Sequence, residues 1–495
     1  MSTPVQPQVR APLSERLGDR INPLVVKEIR QGLRTRVFWV CFGLMLLACL
    51  LLSLMAYADV RDGGYAPRGQ TYFFTYFVCL GLVHFFVIPY SAYRSLARER
   101  EDETWVLLAL TGLGPRRILR GKVTSFLAQA ALYASAVGPF LLFSYYLNGI
   151  DLPTILLVLA LGAAWVVFLT VLGVCAATLA DGRLGRAFVH FVVLGVLASG
   201  VMQGLGGAFA IAEGGSRLMR DDAFPYVICI ALWLMLGYGW LLFETAASRL
   251  ALITEDYSRG PRRALALQMV VSAVIVTVIW LVQDRERTVG AVAGVAGALH
   301  LTLVGVFLMS DVDGQARALR AGTKPWSLLR PGAVRGFRLV VLLMVAWAAF
   351  CVALQLGSVD DRDTWRSMIY VTIAAAAYPI LYFAVALLVA RMPDSDRLAS
   401  PVAVRILFIS LVGLASVLSP LLALLVDASV DDGLINMLNP IVGTVNFGAQ
   451  DYGMDGVNQP KMPVGSLIFI SLVALIAAFA ADRALVDRER RIHAS

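Results

Sequence analysis

The densest run of chemically capable side chains is the basic stretch 94–122. Arg94, Arg98, Glu99, Arg100, Glu101, Asp102 and Glu103 lead into the apolar run Thr104-Trp105-Val106-Leu107-Leu108-Ala109-Leu110. A turn, Thr111-Gly112-Leu113-Gly114-Pro115, and a second basic run, Arg116-Arg117-Ile118-Leu119-Arg120-Gly121-Lys122, follow. An apolar run of this length is too short to cross a bilayer. Two short helices around a glycine turn, with an apolar face exposed, read as a surface awaiting a partner. The alternative is that Trp105 and its leucines simply lie on lipid. Gly121-Lys122 invites comparison with a phosphate-cradling loop. That loop needs a glycine at position 116 and a hydroxyl at 123, and these are Arg and Val. The chain therefore carries no nucleotide-hydrolysing signature and is not read as an enzyme.

Other candidates for chemistry are weaker. Cys41, Cys49, Cys79, Cys175, Cys229 and Cys351 all fall within apolar runs, without metal-ligand spacing, and read as small buried fillers. His84, His190 and His300 lie in three different runs with no carboxylate nearby in sequence. No Asp, Glu, Lys or Arg sits near the centre of a run, and Glu244 lies at a boundary. Ionisable groups at membrane depth usually mark ion or proton pathways, so their absence argues against a proton-coupled carrier. No metal or cofactor site is expected on this chain.

The elements that must position these residues are membrane spans. Mean hydropathy is +0.74, with 59% hydrophobic and 15% charged residues, far from a soluble chain. The expected spans are Val37–Ala58, Thr71–Tyr93, Val123–Leu147, Thr154–Ala180, Ala187–Ala212, Phe224–Ala247, Ala266–Gln283, Val289–Met309, Phe337–Gln355, Met368–Ala390, Val404–Val426 and Val464–Ala481. Each approximates the roughly 20 residues that cover the hydrocarbon core, where only internally bonded helices satisfy the backbone. The fold class is thus all-α, a polytopic bundle of about twelve spans. Residues 1–36 are polar and lack a signal-peptide pattern. With that arm inside, 33 of the 42 Lys and Arg fall in inside segments and 9 outside, which places both termini in the cytoplasm. The basic balance then reflects anionic headgroups and not nucleic acid.

Asn22-Pro23 starts an interface helix, with Asn as cap and Pro at the first position. Leu24, Val25, Ile29 and Leu33 share one face, while Lys27, Arg30 and Arg34 point away, the pattern of a helix lying among headgroups.

Asn22-Pro23-Leu24-Val25-Val26-Lys27-Glu28-Ile29-Arg30 resembles the opening interface helix of permeases of the ABC type-two exporter family. The run Glu99–Lys122 is similar to that family's coupling segment, with Glu101, Thr104, Leu107, Leu108, Thr111, Leu113, Ile118, Gly121 and Lys122 fitting. Glu103, Gly112 and Gly114 depart from it. Ser248-Arg249-Leu250 and Glu255–Arg259 look like the usual end of a six-span core. The resemblance implies a permease in a bacterial-type inner membrane that docks a separate cytoplasmic ABC ATPase, where ATP and Mg would bind. Asn22, Pro23, Lys27, Glu28 and Arg30 would form the interface helix. Glu99, Glu101, Glu103, Thr104, Trp105, Leu107, Leu108, Thr111, Pro115, Arg117, Gly121 and Lys122 would couple to the ATPase. A second copy of the chain or a second permease would complete the pathway. The alternatives are a stand-alone secondary transporter and a non-transporting scaffold that binds an ATPase.

The expected organisation is an arm over 1–36, a six-span core over 37–263 and a second six-span region over 264–495. No internal duplication is evident, since the second half has no interface helix or coupling run of its own. The basic linker Asp311–Arg338 reads as a lipid-facing loop, and Leu434-Ile435-Asn436-Met437-Leu438 as a short interfacial helix within the long outside loop Asp427–Pro463. Gly195, Gly200, Gly204, Gly206 and Gly207, with Gly290, Gly294 and Gly297, read as close-packing positions.

Overall fold

The computed structural model describes residues 23–61, 69–102, 114–180, 182–252, 255–312, 326–359, 365–391, 400–425, 435–448, 450–452, 458–460 and 464–494. Helix α1 covers Pro23–Leu33, followed by α2 (Arg36–Arg61), α3 (Gly69–Glu101), α4 (Pro115–Tyr146), α5 (Leu152–Ala176), α6 (Arg183–Met219) and α7 (Phe224–Leu250). Beyond these lie α8 (Arg259–Val282), α9 (Arg287–Met309), α10 (Ala333–Leu356), α11 (Trp365–Arg391), α12 (Pro401–Leu425), α13 (Pro440–Gly448) and α14 (Val464–Ala494). Twelve of the described helices, α2–α12 and α14, are long and apolar enough to cross a membrane, and each overlaps one expected span. Apart from one short antiparallel pair, Gln450–Tyr452 with Asn458–Pro460, the regular structure is helical. Several helices overrun their expected spans, notably α3 through Glu101 and α14 through Ala494. Hydrocarbon thickness limits the apolar part alone, and backbone bonding continues where side chains turn polar.

The chain divides into two compact units, Met1–Ala251 and Leu252–Ser495. The expected boundary after residue 263 falls inside α8 instead. The reason is chemical, since Tyr257, Ser258 and Arg262 bond to residues of the second unit.

In the first unit, α2 leaves Trp39, Leu44, Leu51, Leu54 and Met55 exposed, an apolar surface suited to lipid or to a partner helix. Helix α3 contains a π turn at Val83–Val87. Pro89 lacks the N–H that the Phe85 carbonyl would accept, and the wider turn accommodates this. Gly173 of α5 packs at that point, where an added Cβ would lie 2.5 Å from the Pro89 carbonyl oxygen. The glycine stripes divide on inspection. In α9, Gly290, Gly294 and Gly297 all meet neighbouring side chains. In α6, Gly200 and Gly204 do so, whereas Gly195, Gly206 and Gly207 face open space.

In the second unit α11 is the most buried span. Tyr378 donates to the Met437 carbonyl at 2.8 Å, tying the 3₁₀ turn Ile435–Leu438 to α11. Asn439 then accepts from Ile441 N and Val442 N, both at 3.0 Å, and starts α13. The expected interfacial helix is therefore a 3₁₀ turn followed by an α-helix, and Leu434 lies outside the described residues.

The expectation of a lipid-facing loop at Asp311–Arg338 is corrected for its described part. Arg262 is fully buried and donates to Asp311 Oδ2 at 2.7 Å, to the Leu328 and Gly332 carbonyls at 3.0 Å each, and to the Arg330 carbonyl. Arg335 pairs with Glu489 at 3.0 Å, and Arg338 pairs with Asp482 through both carboxylate oxygens, at 2.6 and 2.8 Å. These cations hold helix ends together because buried acceptors surround them.

Candidate functional site

Lys122 occupies the first turns of α4 with no exposed surface, an expensive position for an ammonium unless every donor is used. All three are. Nζ donates to Glu99 Oε1 at 2.6 Å, to Ser95 Oγ at 3.2 Å and to Glu28 Oε1 at 3.3 Å. Ser95 and Glu99 stand one turn apart on α3 and so present together. Glu28 reaches in from α1 and is 8% exposed, whereas Glu99 keeps 24% of its side chain in contact with solvent. One cation thus joins three segments that are far apart in sequence, namely α1, the end of α3 and the start of α4.

Packing reinforces the junction. Lys122, Ser125 and Gln129 are buried on α4, at the i, i+3, i+7 spacing of one helix face. Gly32 of α1 lies so close that a Cβ there would stand 2.3 Å from the Gln129 amide nitrogen. The elbow into α2 is fixed by Thr35, whose hydroxyl donates to the Gly32 carbonyl at 2.8 Å and accepts from Phe38 N at 3.3 Å. Tyr133 of α4 then donates to the Phe38 carbonyl at 2.9 Å.

The other expected site residues separate clearly. On α1, Lys27 and Arg30 are exposed while Val25, Ile29 and Leu33 are half-buried, as the amphipathic pattern requires. Pro23 begins the helix, and Asn22 lies outside the described residues. Glu103, Thr104, Trp105, Leu107, Leu108 and Thr111 also lie outside them. Glu101 ends α3 exposed, Pro115 opens α4, Arg117 is exposed, and Ile118 and Gly121 are buried. In place of two short separate helices, the described flanks of this segment are continuous extensions of α3 and α4. Glu28 and Glu99 both accept from Lys122 within the chain.

Three further residues build this end of the unit. Arg116 pairs with Glu244 at 2.8 Å, joining α4 to α7 and placing Glu244 at the same end as the Lys122 junction. Arg100 donates to the Ala177 carbonyl at 3.1 Å and Arg249 to the Leu179 carbonyl at 3.3 Å. Both satisfy orphan acceptors beyond the α5 C-terminus, where a cation is also favoured by the helix dipole. Ser95, Gln129 and these arginine contacts escape sequence reasoning. The polar spacing Lys122, Ser125, Gln129 in an apolar run was the signal available for part of them.

Deeper in the unit, α5, α6 and α7 leave an apolar cavity of about 600 Å³ beside Trp165, Gly195, Gly200, Gln203 and Tyr238. A neighbouring one of about 270 Å³ is lined by Phe77, Phe85, Gly204 and Gly207. Among the described residues no group of three His, Cys, Asp or Glu is placed to hold a metal, and the cysteines are free thiols.

Fold and site together define a multi-pass helical membrane protein with an ionic junction at one end of its first unit. No family model, curated protein or solved structure matches the chain.

Proposed function

We propose that this chain is the integral permease subunit of an ATP-binding-cassette exporter, powered by a separate cytoplasmic ATPase across a bacterial-type inner membrane, with both termini inside. The supporting observation is the Lys122 junction. It joins the three segments that resemble the family's interface helix and coupling segment, namely α1, the end of α3 and the start of α4. A force applied by an ATPase at residues 103–113 enters α3 and α4 through helices with no break after Val87 and from Pro115 onward. The buried ion pairs would carry α1 with them. The chain itself hydrolyses no ATP in this reading.

Co-purification with a P-loop ATPase encoded beside this reading frame tests the proposal. Trp105, Leu107 and Leu108 each contribute roughly 1.5–3 kcal/mol if fully buried in a partner groove, while an exposed pair at Arg117 contributes about 0–1 kcal/mol. Leu108→Asp is therefore expected to release the ATPase without disturbing membrane insertion, and Arg117→Ala to weaken binding only slightly. Retention of the ATPase at wild-type stoichiometry by Leu108→Asp, with transport unchanged, would remove the reading's main support.

A further inference from the structure

The last turns of α3 carry two different faces. Ser95 and Glu99 face Lys122, whereas Arg94, Arg100 and Glu101 line a cavity of about 350 Å³ on the other side, closed by Arg183, Arg186 and His190 of α6. Four arginines thus surround a space that holds a single carboxylate. Arg100 is committed to the carbonyls beyond α5. Among the described residues no carboxylate forms an ion pair with Arg94, Arg183 or Arg186. Convergent cations that outnumber a single carboxylate repel one another, and a bound anion relieves that cost.

Two more features define the anion. Helix α6 begins at the cavity with Gly182 as its cap residue and no side-chain cap, so its first N–H groups and its positive dipole end add to the arginines. His190 lies against Tyr90 and Tyr93, with ring centroids 5.8 and 5.7 Å away, which fixes the orientation of a hydrogen-bonding ring on the cavity wall. Planar guanidinium forks and backbone N–H donors match the oxygens of a phosphate. On its other side the same stretch of α6 exposes Leu184, Phe188 and Phe191 at 86, 68 and 75%. Apolar side chains this exposed need acyl chains around them, so the cavity opens at headgroup depth.

We propose that this cavity is a specific site for the phosphate of an anionic phospholipid headgroup, seated between the end of α3 and the start of α6. The proposal is independent of the ATPase reading, and its test needs no partner. Because α3 carries this site and the Lys122 junction on opposite faces, headgroup occupancy would brace the helix end that the junction uses.

The test is native mass spectrometry and fluorescent-lipid binding on the purified full chain. Nanodiscs of phosphatidylcholine containing one-tenth phosphatidylglycerol are compared with phosphatidylcholine alone. Wild type is expected to retain phosphatidylglycerol in preference to phosphatidylcholine. Affinity should fall roughly fivefold for each arginine removed, hence about twenty-five-fold for Arg183→Gln/Arg186→Gln. The exposed Arg217→Gln, at the far end of α6, should bind as wild type does. Thermal unfolding of each variant separates lost binding from lost fold, and Arg94→Gln reports on the same cavity from α3. Equal retention of both lipids by wild type, or undiminished phosphatidylglycerol binding by both the double and the Arg94 variants, would overturn the proposal. Inorganic phosphate at millimolar concentration is the competing ligand. Full displacement of the lipid by it would overturn the lipid assignment in favour of a soluble phosphate site.

Discussion

Replacing Lys122 by methionine keeps the length of the side chain and removes the charge that Glu28, Glu99 and Ser95 share. Glu28 and Ser95 then lose a donor in a buried setting, and two carboxylates face each other without a cation. Breaking a buried pair from one side costs about 3–5 kcal/mol. Helix α1 is the part free to respond, since its Val25, Ile29 and Leu33 face is only half-buried. Hydrogen–deuterium exchange over Pro23–Leu33 in nanodiscs is the assay, and Lys122→Met should accelerate it roughly 150-fold or more. Glu28→Gln/Lys122→Met should recover part of that loss, because it removes the buried Glu28 charge and leaves only Glu99, which keeps 24% of its side chain in solvent, without the lysine. Arg116→Gln, which breaks a pair whose arginine is half-exposed, should change little. If Lys122→Met exchanges α1 within threefold of wild type, the ionic junction is not what holds α1.

Cysteine-accessibility labelling should find position 117 shielded from outside and position 455 open, and outside labelling at 117 would reverse the orientation derived from the cation bias. The purified chain alone should show no vanadate-sensitive ATP turnover above an empty-membrane control. Gly173→Ala should cost about 1–3 kcal/mol because its Cβ meets the Pro89 backbone, whereas Gly32→Ala meets the movable Gln129 amide and should cost less; detergent thermal unfolding ranks the two. Burial, and secondarily Asp311, raise the pKa of Tyr257. Its bond to Asp311 therefore contributes fully below about pH 10, the unfolded value, and is lost as pH rises through the folded value. Tyr257→Phe should flatten that alkaline loss of stability, and an unchanged profile would contradict it.

The spans were legible because lipid imposes one rule on every crossing segment, so a length of apolar sequence is nearly sufficient. Helix α1 was legible for a related reason, its apolar stripe at helical spacing after Asn22-Pro23. The partners of Lys122 were not. Glu28 lies 94 residues away in sequence, and nothing local distinguishes it from the exposed Lys27 beside it. Burial decides the difference, and burial depends on where Gly32 allows α1 to approach Gln129. The start of the second compact unit at Leu252 rests on the same kind of long-range bond, since Asp311 and residues 328–332 supply the acceptors that bury Arg262.

The cation bias itself carries two meanings that composition alone cannot separate. Counted along the chain, inside arginines look like a uniform attraction to anionic headgroups. In the first unit Lys122, Arg116, Arg100 and Arg249 are instead bonded to carboxylates or to carbonyls at helix ends, and in the second unit Arg262, Arg335 and Arg338 are bonded likewise. A helix crossing lipid must end somewhere, and its last carbonyls and buried acids need donors that water does not reach. Cations used this way stitch helix ends and add little to lipid attraction. Arg94, Arg183 and Arg186 differ from these: with no carboxylate partner among the described residues, they line one cavity beside an uncapped helix start. Substitution at stitched and unstitched positions should therefore separate into two phenotypes. Loss of Arg262 or Arg335 should lower thermal stability whatever the lipid. Loss of Arg183 or Arg186 should leave stability in phosphatidylcholine unchanged and remove only the added stability that phosphatidylglycerol confers. If both sets respond to lipid composition alike, the distinction drawn from their partners is wrong.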